Sequence, residues 1–283
     1  MVEPTSLTEA LSLLDPQDPT VRPVAGGTAL MLMMKASVFQ PSRLVCLHKI
    51  EPEHGRITLG TGGELRIGAM ATLRQVEKDP NVASRLPVLA KTMRTLSSVR
   101  VRNVARVGGA LAHGDPHMDL PPVLTALGAR VAIAGRGGNR EIALEQLYAG
   151  YYETILEKDE LITAALVPAL NGRKAAYIKV TSRTADDWPS LGVAVTFALD
   201  GGAIRDPIVV VSAATEKVTR MAAAEQALQG APPDDAALRR AGDAAADEVE
   251  TLSDAHGSAP YKRELLRVYL RRALRQALDN TAH

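Results

Sequence analysis

The stretch Arg102–Pro122, RNVARVGGALAHGDPHMDLPP, decides how the rest of the chain is read. It holds a glycine pair at Gly108-Gly109, a polar loop from His113 to Asp119, and a Pro121-Pro122 pair opening a helix from Leu124 to Leu127. Adjacent glycines let the backbone turn sharply and let a bulky anion approach main-chain N–H groups. Proline suits the first helical turn, where its missing N–H has no partner to lose. The expectation is a tight Gly-Gly turn, then a loop, then a helix start.

An earlier segment has the same form. Ala25-Gly26-Gly27-Thr28-Ala29-Leu30 resembles Val107-Gly108-Gly109-Ala110-Leu111-Ala112, and it follows a brief strand signal at Val21–Val24. Thr28 is expected to cap an apolar helix running through Leu30, Met31, Met33 and Met34 to Lys35. A helix N-terminus adds partial positive charge, so each loop is a candidate phosphate cradle, and two together suit a diphosphate held between them. Two plain tight turns remain the alternative.

The polar loop invites another reading. His113, Asp115, His117 and Asp119 alternate, and imidazoles with carboxylates are ligands of zinc and other divalent ions. A metal-dependent hydrolase using the His113–Asp119 segment is therefore the rival enzyme class. Against it, Pro116 interrupts any regular strand that would put alternate side chains on one face.

Elsewhere Ser6-Leu7-Thr8-Glu9 reads as a capping box before a helix carrying Leu7, Leu11 and Leu14. Arg43–Leu47 reads as a strand, Arg56–Leu59 and Leu65–Ile67 as a pair, and Leu73–Val76 and Leu86–Leu96 as helices. Val131–Ala134 and Leu161–Val167 are strand-like. Pro168–Arg173, with Asn171-Gly172, is the expected linker. Beyond it come strands at Ala176–Val180, Gly192–Leu199 and Ile208–Ser212, then alanine-rich helices from Thr219, a turn at Ala231-Pro232-Pro233, and a long helix from about Tyr261.

Composition narrows the function. The chain has 283 residues and 46% hydrophobic residues, enough for a substantial core. Its aromatics are one Trp, six Tyr and two Phe, so the core is aliphatic and a base-stacking surface is not expected. Lys and Arg (33) nearly balance Asp and Glu (32), which leaves no net field to attract nucleic acid or a membrane. No span approaches membrane length, so a cytoplasmic protein is expected. Cys46 is the single cysteine, which excludes an internal disulfide, a cysteine zinc site and an iron–sulfur cluster ligated by this chain alone. Cys46 itself reads as a buried small hydrophobe, Met31, Met33 and Met34 as core or interface packing material, and the Arg263, Arg267, Arg271, Arg275 stripe as a solvated or subunit-contacting face.

In order along the chain stand Val24-Ala25-Gly26-Gly27-Thr28, Leu44–Leu47, Ile67-Gly68-Ala69-Met70-Ala71-Thr72, Val101–Gly109, Gly114-Asp115-Pro116 and Asp119-Leu120-Pro121. In this order they resemble the FAD-binding medium subunit of the molybdenum hydroxylases, relatives of carbon monoxide dehydrogenase and xanthine dehydrogenase. Leu161–Pro168 and Lys179–Trp188 extend the resemblance almost end to end.

The resemblance implies an α+β fold. Two α+β subdomains of the para-cresol methylhydroxylase type form an FAD-binding domain (1–170, subdomains about 1–54 and 55–170). A small C-terminal antiparallel sheet of three strands with a helical bundle (171–283) follows. It implies an electron-transfer subunit of a molybdenum-containing dehydrogenase, passing electrons from partner iron–sulfur clusters through FAD to an external acceptor. Molybdenum cofactor and [2Fe-2S] clusters are then expected on a large and a small partner subunit, in a dimer of heterotrimers.

The implied cofactor contacts are the backbone N–H groups of Ala25, Gly26, Gly27, Thr28, Ala29 and Leu30 and of Val107, Gly108, Gly109 and Ala110. Asp119 matches a carboxylate on the ribityl chain, Leu161 and Ile162 match apolar contacts near the ring, Lys179 matches a lysine near the flavin, and Trp188 falls where an aromatic residue covers the isoalloxazine. Three positions depart from the family: Arg106 replaces a threonine, Ala110 an asparagine or serine, and Ala29 a commonly polar residue. Arg106 is free either to pair with the pyrophosphate or to point to solvent. A stand-alone flavin oxidase and a structural subunit that has lost FAD are the remaining alternatives.

Overall fold

A computed structural model describes residues 1–280. The chain begins with α1 (Leu7–Leu13), β1 (Val21–Val24), α2 (Thr28–Lys35) and β2 (Arg43–Cys46), the two strands pairing in parallel. Ser6 caps α1, but Glu9 turns to the Thr5 N–H and hydroxyl, so only half of the expected capping box forms. Ala10, Leu14, Val21, Val45, Leu47 and Ile50 make a small core that also takes in Leu161.

The middle of the chain forms β3 (Ile57–Leu59), β4 (Leu65–Gly68), α3 (Leu73–Lys78), α4 (Pro80–Arg85), α5 (Pro87–Thr95), α6 (Val99–Val104), α7 (Val107–Ala112) and α8 (Leu120–Ala126). Strands β5 (Arg130–Gly135), β6 (Gly138–Ala143), β7 (Tyr148–Gly150), β8 (Glu153–Thr154) and β9 (Glu160–Val167) follow. Antiparallel pairings order the main sheet β3-β4-β9-β5-β6, and α3, α5, α7 and α8 share a core with it. Helices α4 and α6 are absent from the sequence reading; each is too short for a hydrophobic period to show.

The last part has β10 (Lys174–Val180), β11 (Leu191–Asp200), β12 (Ala203–Ser212) and β13 (Thr219–Arg220), then α9 (Ala222–Leu228), α10 (Asp235–Glu248) and α11 (Ala259–Asp279). The sheet is antiparallel and four-stranded, because the two-residue β13 joins the three expected strands. Strand β11 is covered on both faces, which explains an apolar run interrupted only by Thr196 between Leu191 and Leu199. Val193, Val195 and Phe197 share a core with Leu266, Leu270 and Leu274 of α11, whereas Ala194 on the other face joins the core that holds α3, α5, α7 and α8. The Thr196 hydroxyl donates to the Ala126 carbonyl at 2.7 Å, pinning α8 to this sheet.

Two surface expectations change. Arg267 reaches Asp243 at 3.0 Å and Arg271 reaches Asp235 at 2.8 Å, with Arg275 on the same Asp235 carboxylate. Much of the arginine stripe therefore faces α10 across the helix pair. Helix α2 buries no residue, and Met31 and Leu32 are exposed, so its methionines are not core. Cys46 is buried as expected, and burial raises its thiol pKa.

Candidate functional site

The two glycine pairs meet at one cleft of about 900 Å³. Its wall includes Ala25–Leu30 from the β1–α2 loop, Arg106, Gly108, Gly109 and Ala110 from α7, Asp119, Leu161, Ile162, Lys179 and Trp188. Of the residues singled out from sequence, Val107 alone is turned away, buried in the core beside the cleft.

Close approach explains the glycines. A Cβ on Gly26 would lie 2.3 Å from the Val104 carbonyl oxygen, so the first loop can sit on the α6–α7 junction only without a side chain. A Cβ on Gly108 would lie 2.7 Å from that of Ala69. Gly27 has φ +68°, and it, not Thr28, occupies the N-cap position of α2. Thr28 is the first helical residue.

The two loops differ in what their N–H groups can do. Those of Gly26, Gly27, Thr28, Ala29 and Leu30 donate to no protein group among the described residues, and they gather at a helix N-terminus. Gly108-Gly109 is not a turn: both glycines lie inside α7. The Val107 N–H donates to Ala71 O, Gly108 to Ala69 O and Ala110 to Arg106 O. Among the described residues only Gly109, exposed toward the cleft, keeps an unused N–H in that first turn. Arg106 is partly buried and does not simply point to solvent; its guanidinium donates to Met70 O at 2.9 Å, and its Nε is buried without a partner among the described residues.

At the far end Asp119 is buried. It accepts from Tyr177 Oη at 2.5 Å and pairs with Lys179 Nζ at 2.9 Å, and Lys179 also donates to Thr95 O. Burial raises the Asp119 pKa above its ordinary value, opposed by Lys179 and Tyr177. Tyr177 carries no signal in the sequence reading, because its role rests on a contact between distant segments.

The His113–Asp119 side chains do not converge. His113 packs edge-on against Tyr152 with ring centres 5.1 Å apart, and burial lowers its pKa. Asp119 turns to Lys179, while His117 lies between Asp115 Oδ1 (3.1 Å) and Asp254 Oδ2 (2.9 Å). Among the described residues no group of three or more His, Cys, Asp and Glu could hold a metal ion. Trp188, half exposed, stacks on His117 with ring centres 5.3 Å apart and an interplanar angle of 14°.

Comparison with known proteins gives this geometry a context. The profile for the FAD binding domain in molybdopterin dehydrogenase matches residues 1–170, and that for the CO dehydrogenase flavoprotein C-terminal domain matches 176–277. The chain is 30% identical over 275 residues to the glyceraldehyde dehydrogenase medium chain of Sulfolobus acidocaldarius, covering 97% of this chain and 96% of that protein. It is 32% identical to the nicotine 6-hydroxylase medium subunit of Paenarthrobacter nicotinovorans, covering 97% and 95%. Among solved structures, carbon monoxide dehydrogenase from Hydrogenophaga pseudoflava superposes with a TM-score of 0.94 at 33% identity, covering 98% of this chain and 96% of that one.

The donor set fits FAD. Unused N–H groups at a helix N-terminus and at Gly109 suit a diphosphate, and Val24, Met33, Leu161 and Ile162 offer apolar wall. No helix among the described residues is long and apolar enough to cross a membrane.

Proposed function

We propose that this chain, which belongs to the family of FAD-binding medium subunits of molybdenum hydroxylases, passes electrons from iron–sulfur clusters on a partner subunit through FAD to an external acceptor. It is an FAD-dependent oxidoreductase subunit of a molybdenum hydroxylase complex, with the molybdenum and iron–sulfur centres on other subunits. FAD supplies the redox chemistry. Supporting the reading is one observation above the others: both glycine pairs, 82 residues apart in sequence between Gly26 and Gly108, open onto the cleft that holds the Asp119–Lys179 pair.

On this reading the N–H groups from Gly26 to Leu30, with that of Gly109, hold the diphosphate. Leu161 and Ile162 exclude water from the ring. Asp119 and Lys179 orient the ribityl end, and Trp188 screens the side from which the acceptor comes. Arg106 braces the loop through Met70 O and keeps its remaining donors for the diphosphate. The domain division follows: an FAD-binding domain at 1–170, with subdomains about 1–54 and 55–170, and a C-terminal domain at 171–283, whose residues 281–283 lie outside the described residues. We place the chain in the cytoplasm, in a dimer of heterotrimers with a large molybdenum subunit and a small subunit bearing [2Fe-2S] clusters.

Isolating the native complex through this chain tests the proposal. Large and small subunits co-elute, and the reduced flavin is reoxidised on mixing with quinone, NAD or oxygen. A chain that elutes alone, or a flavin that none of these reoxidises, contradicts it.

A further inference from the structure

We propose that His117, held as an imidazolium between Asp115 and Asp254, is a positioning residue that clamps Trp188 over the mouth of the cleft and releases it on losing its proton. The role of Trp188 as a screen is the reading given above, and the clamp rests on it.

The geometry calls for the charged ring. A neutral imidazole has one N–H and one acceptor nitrogen, and carboxylates only accept. His117 places Nδ1 3.1 Å from Asp115 Oδ1 and Nε2 2.9 Å from Asp254 Oδ2, so both nitrogens are satisfied only when both carry protons. Burial pulls the pKa of His117 down, but the hydrogen bonds to Asp115 and Asp254 outweigh it and the result lies above the ordinary value. Both carboxylates are themselves fixed. Asp115 accepts from the His117 N–H at 2.9 Å. Asp254 accepts from Lys262 Nζ at 2.6 Å and from the His256 N–H at 2.8 Å, and Lys262, fully buried, also donates to Ala213 O.

The loop carrying His117 is equally anchored, since the Pro116 carbonyl accepts from the Ala213 N–H at 2.8 Å. Trp188 is not. It is half exposed, its indole N–H donates to no protein group among the described residues, and its ring partners are His117, stacked at 5.3 Å, and His256, tilted at 6.1 Å. A cation stacked within about 6 Å of an indole is attracted to the ring, and that attraction vanishes with the charge. The charged and titratable groups facing this assembly are His113 and Asp115 on the same loop, Tyr152 beside Asp115 and His113, Asp254 and His256 on the α10–α11 turn, Lys262 on α11, and Arg183, Asp186 and Asp187 on the Trp188 loop.

Trp188 is the only tryptophan, so the indole emission of the full-length chain reports on it alone. The test is a pH titration of that emission and of its quenching by acrylamide, with and without added FAD. Protonated imidazole quenches a stacked indole. Emission should therefore be low and shielded in acid, then rise along a one-proton curve whose midpoint lies above the ordinary histidine value of 6.5. His117→Gln should lose the step and stay bright and accessible throughout. His256→Gln should keep it, and Asp254→Asn should move its midpoint down. A flat titration of the unaltered chain, a step that survives His117→Gln, or one abolished by His256→Gln overturns the clamp. The titration needs no acceptor, so its failure removes the clamp alone, whereas a Trp188→Ala variant with unchanged acceptor kinetics removes the screening role on which the clamp rests.

Discussion

Asp119 and Lys179 form an ion pair of 2.9 Å in which both side chains are almost wholly buried, joining the start of α8 to strand β10. Breaking one side of such a pair leaves an uncompensated charge, so Asp119→Asn should cost about 3–5 kcal/mol of stability. The double variant Asp119→Asn with Lys179→Met removes both charges and should recover most of that loss, yet bind FAD more weakly than the unaltered chain. Urea unfolding beside flavin content separates the two effects. Full flavin occupancy in the double variant contradicts a cofactor role for the pair.

The glycines of the cleft should not be equivalent. Gly26→Ala drives a Cβ into the Val104 carbonyl and should cost about 1–3 kcal/mol as the α6–α7 junction shifts. Gly109→Ala meets nothing nearer than the Ala25 Cβ at 3.9 Å, so the fold should tolerate it while the methyl group narrows the approach to the diphosphate. Thermal unfolding should therefore fall mainly in the first variant, and FAD affinity in both.

Acid should loosen the helical layer through Glu77. Its carboxylate accepts from Arg102 Nε at 3.0 Å and Arg74 Nη1 at 2.8 Å, and although burial pushes its pKa up, these partners hold it below the ordinary 4.5. A carboxylate depressed on folding contributes its stability above 4.5 and loses it as pH falls through the lower folded value. Unfolding curves for Glu77→Gln should lie about 3 kcal/mol below the unaltered chain at neutral pH and converge with it in acid. A constant gap down to the acid limit contradicts this.

Trp188→Ala should change reactivity with quinone, NAD or oxygen while leaving flavin content similar. Stopped-flow reoxidation of the reduced complex is the measurement, and identical rates with all three acceptors contradict the screen.

Much of this was open to reading from the chain alone, for physical reasons that can be named. The β1–α2 loop is local: strand, glycine pair and apolar helix follow one another, and the structure keeps that order. The second glycine pair misleads because a glycine pair is compatible with both a turn and a helix. What decides for α7 is the pairing of Val107 and Gly108 N–H groups with Ala71 and Ala69, about 36–39 residues away in sequence. His117 looks like a metal ligand among its neighbours, yet its partner Asp254 is 137 residues downstream. The arginine stripe on α11 is plain as a periodicity, but only packing shows that Asp235 and Asp243 face it.

The most direct test is the visible spectrum of the purified full-length chain after incubation with FAD and removal of excess, with metal analysis on the same sample. The expected result is flavin absorbance at one FAD per chain and no stoichiometric metal. A folded chain without flavin absorbance, or one carrying a bound divalent metal in its place, would contradict the assignment of the cleft to FAD.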